Sequence, residues 1–202
     1  MFGHARTALA AALLFASSAA ASALPVTADW QTVGGGGFDN GYATTITFDK
    51  NAARGTTNDR DNAANALGSA DSDFFEIGFG SYVDLTFGTL FDTSVKLFEI
   101  TFGTVTNWPE SAEIFVGDGV SFTSIGMISN ADAQGGGILP ILLDGTFDTV
   151  RIKDTSPDQG RLTGGFDIDA VRVTPVPLPA GALLLATGLG GLALLRRRRR
   201  QA

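Results

Sequence analysis

The 202-residue chain contains no cysteine and one histidine, His4, at its extreme N-terminus. Without cysteine there is no disulfide and no thiolate nucleophile or ligand. If the N-terminal segment is removed, no histidine remains either. Ser–His–Asp triads, Cys–His dyads and zinc or haem sites with His or Cys ligands are then excluded. Basic side chains are also scarce where they would matter. Between residues 24 and 174 there are eight Lys and Arg against all 21 Asp and Glu, which leaves −13. A body of that charge repels nucleic acid and anionic membrane surfaces, so no nucleic-acid partner is expected. Its roughly 150 residues suit one domain with a single core.

The two ends differ from this body. Residues 1–23 have the plan of a secretory signal peptide. Arg6 gives the positive start, residues 8–15 the apolar stretch, and Ala21 and Ala23 the small-x-small cleavage site. At the other end an apolar run begins at Leu178 and finishes at Leu195, with the Thr187 hydroxyl as its one polar side-chain group. At 1.5 Å per residue those eighteen residues extend about 27 Å, close to the hydrocarbon thickness of a bilayer. Arg196, Arg197, Arg198, Arg199 and Arg200 follow directly. Such a block resists translocation and stays cytoplasmic. The expected topology is a single transmembrane helix with the acidic domain outside the cytoplasmic membrane.

The tail Val176-Pro177-Leu178-Pro179-Ala180, then the apolar span, then the terminal arginines, resembles the VPLPA variant of the PEP-CTERM sorting signal of Gram-negative bacteria. That resemblance covers about the last 27 residues. It implies transient insertion in the inner membrane and processing by an exosortase-type membrane protease. Delivery to the cell surface or to an exopolysaccharide biofilm matrix would follow. It is an address and leaves the cargo's role open.

The cargo reads as all-β. Short runs rich in Phe, Ile, Val and Thr, at residues 44–49, 73–79, 82–87, 95–102, 112–116, 120–127, 147–153 and 166–173, alternate with Gly, Asp and Asn. About eight strands at that spacing predict an antiparallel β-sandwich or jelly roll. Gly80-Ser81 and Gly117-Asp118-Gly119 read as hairpin connections. The expected domains are a signal peptide (1–23), an irregular Gly-rich lead-in (24–43), the sandwich (44–174) and the sorting signal (175–202). The four glycines at 34–37 lack the Lys-Ser/Thr that a phosphate loop needs. The polar stretch 50–72 is long enough to be either functional or disordered.

Asn65-Ala66-Leu67-Gly68-Ser69-Ala70-Asp71, the Phe-rich strand after it and Asp84-Leu85-Thr86-Phe87-Gly88 resemble the opening of discoidin-like or galactose-binding-like jelly rolls. Residues 110–116, 147–154 and 165–171 are similar to that fold's later strands. The resemblance implies an eight-stranded sandwich whose relatives often bind carbohydrate and often hold a structural calcium beside the N-terminal loop.

Calcium takes six to eight oxygens, mostly carboxylate and carbonyl. The candidate ligands are Asp71 and Asp169, then Asp61 and Asp167. The competing reading makes these aspartates turn formers and solvated charges. On the last strand Asp167 and Asp169 share a face with Val171 and Val173, which fits a strand emerging into a polar site or a bulge near Ala170. Sugar binding needs an aromatic platform with polar groups around it. Trp108, in the loop Asn107-Trp108-Pro109-Glu110, is the best candidate, with Trp30 and Tyr42 behind it. A loop tryptophan can equally cap the end of a sandwich.

These features make the expected protein a non-enzymatic adhesion or interaction domain at the cell surface, associated with extracellular polysaccharide. The alternative is a lectin-like module with a defined sugar. A third reading is a small secreted hydrolase using paired carboxylates, against which the four glutamates, Glu76, Glu99, Glu110 and Glu113, all fall on or beside predicted short strands.

Overall fold

The computed structural model describes residues 27–34, 40–101, 103–157 and 164–177. The expected signal peptide with Ala21 and Ala23, Leu178, Pro179 and Ala180 of the sorting motif, the apolar span and the arginine cluster lie outside the described residues. Among the described residues no helix is long and apolar enough to cross a membrane.

Among the described residues there are nine antiparallel strands: β1 (Trp30–Gly34), β2 (Thr45–Asp49), β3 (Phe75–Glu76), β4 (Tyr82–Glu99), β5 (Ser111–Gly117), β6 (Phe122–Ser129), β7 (Gly137–Pro140), β8 (Phe147–Asp154) and β9 (Asp167–Pro175). β4 belongs to both layers of the sandwich. Its first half pairs with β2 and β8, completing a six-stranded layer in the order β1-β2-β4-β8-β5-β6. Its second half pairs with β7 and β9, and β9 pairs with β3. Register shifts after Thr86 and between Phe91 and Val95 carry the strand from one layer to the other. Between the layers lie Ile46, Phe75, Val83, Leu85, Phe87, Phe91, Ile114, Ile152, Phe166 and Ile168, each fully buried. Each such side chain withdrawn from water contributes about 1.5–3 kcal/mol.

Four sequence readings are corrected. The two runs at 82–87 and 95–102 are one bent strand as far as Glu99, because the strand runs on through Gly88 and Leu90, across a register shift between Thr86 and Phe91, although the alternation lapses. The lead-in contains β1, an edge strand registered on β2 from Trp30↔Asp49 to Gly34↔Thr45. β7 was not foreseen, and its Pro140 is tolerated on a strand paired to β4 alone. Gly80-Ser81 is a tight turn, with Ser81 N–H bonded to the Gly78 carbonyl. It joins β3 and β4, which do not pair, so it is not a hairpin. The Gly117-Asp118-Gly119 reading holds, since β5 and β6 pair and Asp118 Oδ1 accepts the Val120 and Ser121 N–H groups.

The long polar stretch is ordered by side chains. Asn62 caps one 3₁₀ turn by accepting the Ala64 N–H at 3.2 Å. Arg54 reaches the carbonyls of Asp49 and Glu76 and lies 4.7 Å from the Phe75 ring centre.

Candidate functional site

The two ends of the sandwich differ in chemistry. At one end β4 crosses between layers, and the chain leaves past Val176, whose N–H bonds to the Leu90 carbonyl at 2.8 Å. At the other end lie the loop 50–74, the 103–110 loop and a set of buried carboxylates. Glu76, Glu99, Asp154, Asp167 and Asp169 are all at most 5% exposed and Glu110 is 9% exposed.

Most of these acids gather backbone donors from loops that are distant in sequence. Asp154 accepts the N–H groups of Gly80 (2.8 Å) and Phe166 (3.0 Å), together with the Ser156 hydroxyl at 2.6 Å. Glu76 accepts the N–H groups of Gly55 (2.8 Å) and Gly164 (2.9 Å) and pairs with Arg60 at 3.2 Å. Asp169 Oδ1 accepts those of Asp71 at 3.0 Å and Ser72 at 3.3 Å. A carboxylate accepting charge-assisted bonds from separate segments ties them together, as a disulfide does in cysteine-containing domains. Among the described residues there is no such covalent tie.

Three acids are less well served. The Thr101 hydroxyl donates to both Glu99 oxygens. Glu110 Oε2 and Asp167 Oδ1 are buried without a hydrogen-bond partner. Burial pushes Glu110 up to about 10, with the Asp167 and Glu99 charges adding to it. Burial likewise pushes Asp167 up to about 9 and Glu99 up to about 7. A carboxyl deprived of water is cheapest as the neutral acid, so Glu110 and Asp167 carry protons at neutral pH.

This placement answers the hydrolase reading. Glu76, Glu99 and Glu110 are interior groups that substrate does not reach, and Glu113 Oε1 accepts the Ser124 hydroxyl at 2.8 Å.

The calcium quartet is not assembled. Asp61 and Asp71 are exposed, and Asp71 Oδ1 accepts the Asp73 N–H at 3.0 Å. Asp169 Oδ1 accepts two backbone N–H groups, and Asp167 is buried beside Glu76, its partner across β3 and β9. Among the described residues no three acidic side chains are grouped to hold a metal ion. Of the four, the structure brings Asp71 and Asp169 together, the Asp71 N–H bonding the Asp169 carboxylate, and sets Asp167 apart on the Glu76 side. The parity of the last strand has the bulge explanation. Phe98 pairs with Ala170 and Glu99 with Ile168, which leaves Asp169 as the extra residue.

Above the acids sits Trp108, 39% exposed, in the loop between β4 and β5. Its backbone is fixed from both sides. The Trp108 N–H bonds to the Thr104 carbonyl at 3.1 Å, and Asn130 Nδ2 donates to the Trp108 carbonyl at 2.7 Å. Asn130 is itself buried and also donates to Thr101 Oγ1 at 2.9 Å. A chain of bonds therefore runs from the indole-bearing loop through Asn130 and Thr101 to Glu99. Thr104, Thr106 and Asn107 are exposed in the same loop. The other candidates lie elsewhere. Tyr42 makes an isolated bridge to Arg172, and Trp30 stands at the edge of the six-stranded layer.

No protein-family model matches the chain, and no curated protein is significantly similar in sequence. Solved structures do show likeness. A family 89 glycoside hydrolase from Clostridium perfringens, in complex with 2-acetamido-1,2-dideoxynojirmycin, matches 71% of this chain at 15% identity and a TM-score of 0.47. The match spans 16% of that much longer enzyme. A truncated AlyQ with CBM32 and alginate lyase domains matches 76% of this chain and 36% of its own at 14% identity, with a TM-score of 0.46. The C-terminal domain of a chitobiase from Bacteroides fragilis matches 74% of this chain and 96% of its own at 12% identity, with a TM-score of 0.43. Likeness this distant assigns no function, so the functional reading rests on the residues of this chain.

Proposed function

We propose that the protein is an exported, non-catalytic carbohydrate-binding module that attaches to extracellular polysaccharide through the loop end carrying Trp108. The observation behind this reading is the Trp108 indole itself, presented to solvent on a backbone held by the buried Asn130. A pyranose offers an apolar C–H face to such a ring, and its hydroxyls need polar neighbours, which Thr104, Thr106 and Asn107 supply. Pre-ordering the loop lowers the entropy lost on binding. Export and sorting by an exosortase-type protease are supported by the sequence of the two ends. The chain's exit at the opposite end from Trp108 suits a domain tethered there while its binding loop faces outward.

A glycan array probed with the full chain in mild detergent tests the binding. A defined set of sugars should be retained by the wild type and lost in Trp108→Ala. An array bound equally by both proteins overturns the assignment. Mass spectrometry of the mature protein tests the export route, which predicts a chain starting at Leu24 and ending near Pro179.

A further inference from the structure

A second surface lies on the outer face of the six-stranded layer. Period-two alternation buries Val83, Leu85 and Phe87 and turns Tyr82, Asp84 and Thr86 outward. Register sets Asp84 between Thr47 and Arg151, and Thr86 between Thr45 and Thr149. Arg151 grips Asp84 with two bonds, Nε–Oδ1 at 2.7 Å and Nη2–Oδ2 at 2.8 Å. Its guanidinium lies 4.0 Å from the ring centre of Tyr82 and 3.8 Å from that of Phe122. Trp30 leans in from β1, its ring centre 4.7 Å from that of Tyr82 at an interplanar angle of 35°, and remains 42% exposed. One step along the pleat, the same face opens into a groove of about 420 Å³ lined by Thr86, Thr89, Leu90, Asp118, Asp148 and Thr149.

We infer that this face binds an uncharged polysaccharide chain, at a site separate from Trp108. The inference takes its ligand class from the carbohydrate reading above, but not its place. Guanidinium–aromatic stacking and a bidentate ion pair hold Tyr82 in a fixed plane, and Trp30 extends that plane into solvent for sugar rings to lie on. The groove supplies hydroxyl partners. Asp148 Oδ1 accepts the Thr149 hydroxyl and Asp118 Oδ1 accepts two backbone N–H groups, while neither Oδ2 has a bond among the described residues. Charge selects the polymer. The −13 body repels polyanions, and the cation at the centre of the face is already neutralised by Asp84. Six strands at about 4.8 Å spacing give a width of ~24 Å, enough for several sugar units side by side.

Affinity electrophoresis of the full chain in mild detergent tests this. The gels would contain a neutral glucan, mannan or galactan, or a polyuronate as the charged control. Trp30→Ala lies on an edge strand and Asp148→Asn at the exposed start of β8, and each is checked by an unchanged urea midpoint. The inference predicts retardation by a neutral polymer, weakened about three- to tenfold in Trp30→Ala and also reduced in Asp148→Asn. Trp108→Ala keeps this contribution. Retardation lost in Trp108→Ala but intact in Trp30→Ala and Asp148→Asn overturns the second site and leaves the loop-end reading standing. The reverse pattern supports the second site and overturns the loop end. Retardation by the polyuronate alone overturns the uncharged ligand, and retardation by no polymer overturns both sites.

Discussion

The backbone N–H of Asp71 donates to the carboxylate of Asp169 at 3.0 Å across 98 residues of sequence. The next residue, Ser72, donates to the same oxygen and has φ of +79°, a left-handed conformation that costs a residue with a side chain about 1–2 kcal/mol. Asp169 therefore holds a strained turn in place. Asp169→Ala leaves both donors without their partner and is predicted to destabilise the domain by about 1–3 kcal/mol. Ser72→Gly relieves the strain and is predicted to stabilise it by about 0.5–1 kcal/mol. Urea unfolding of the two variants checks the opposite signs.

The interior acids set a direction for the pH dependence. Glu99, Glu110 and Asp167 have pKa values raised on folding, to about 7, 10 and 9 respectively. The native state thus binds more protons than the unfolded chain across this range. The stability linked to them is fully present below the unfolded values near pH 4 and is lost as pH rises through the folded ones. Urea midpoints measured from pH 5 to 10 should fall steadily. Glu110→Gln, which needs no proton to stay neutral, should flatten the decline. A midpoint that rises with pH in the wild type would contradict this arrangement.

Backbone N–H groups bonded to Oδ1 of Asp169 and of Asp71 already hold the loop end together, so chelator should leave the thermal midpoint unchanged. A midpoint that drops with chelator and recovers with added calcium would show a cation in the loop end and would refute the donor assignment.

Much of the sandwich was legible because a half-buried strand writes its two faces in alternation, as Thr45-Ile46-Thr47-Phe48 and Tyr82-Val83-Asp84-Leu85 do. Asp118 marked its hairpin because the connection is local. What failed was non-local. Gly80-Ser81 signals a turn, but nothing in the turn says that β3 will pair with β9 instead of β4. β1 was hidden by the glycines that follow it, and β7 by flanking Gly and Pro. The carboxylates gave no sign of burial, since an aspartate in a polar stretch looks the same whether it meets water or a folded-back amide. Trp108 was identifiable from its loop. The Trp30–Tyr82–Arg151 stack was not, because it exists only through the register of β1 on β2 and of β8 on β4.

Trp108 can be observed directly, because the sequence contains one other tryptophan, Trp30. In Trp30→Phe every change in indole emission comes from the loop end. Titrating that variant with the polysaccharide of the producing organism should give a saturable shift in emission. The corresponding binding, followed by calorimetry, should weaken about tenfold or more in Trp108→Ala. Saturation with no change in Trp108 emission, together with full affinity in Trp108→Ala, would contradict carbohydrate recognition at this end of the sandwich.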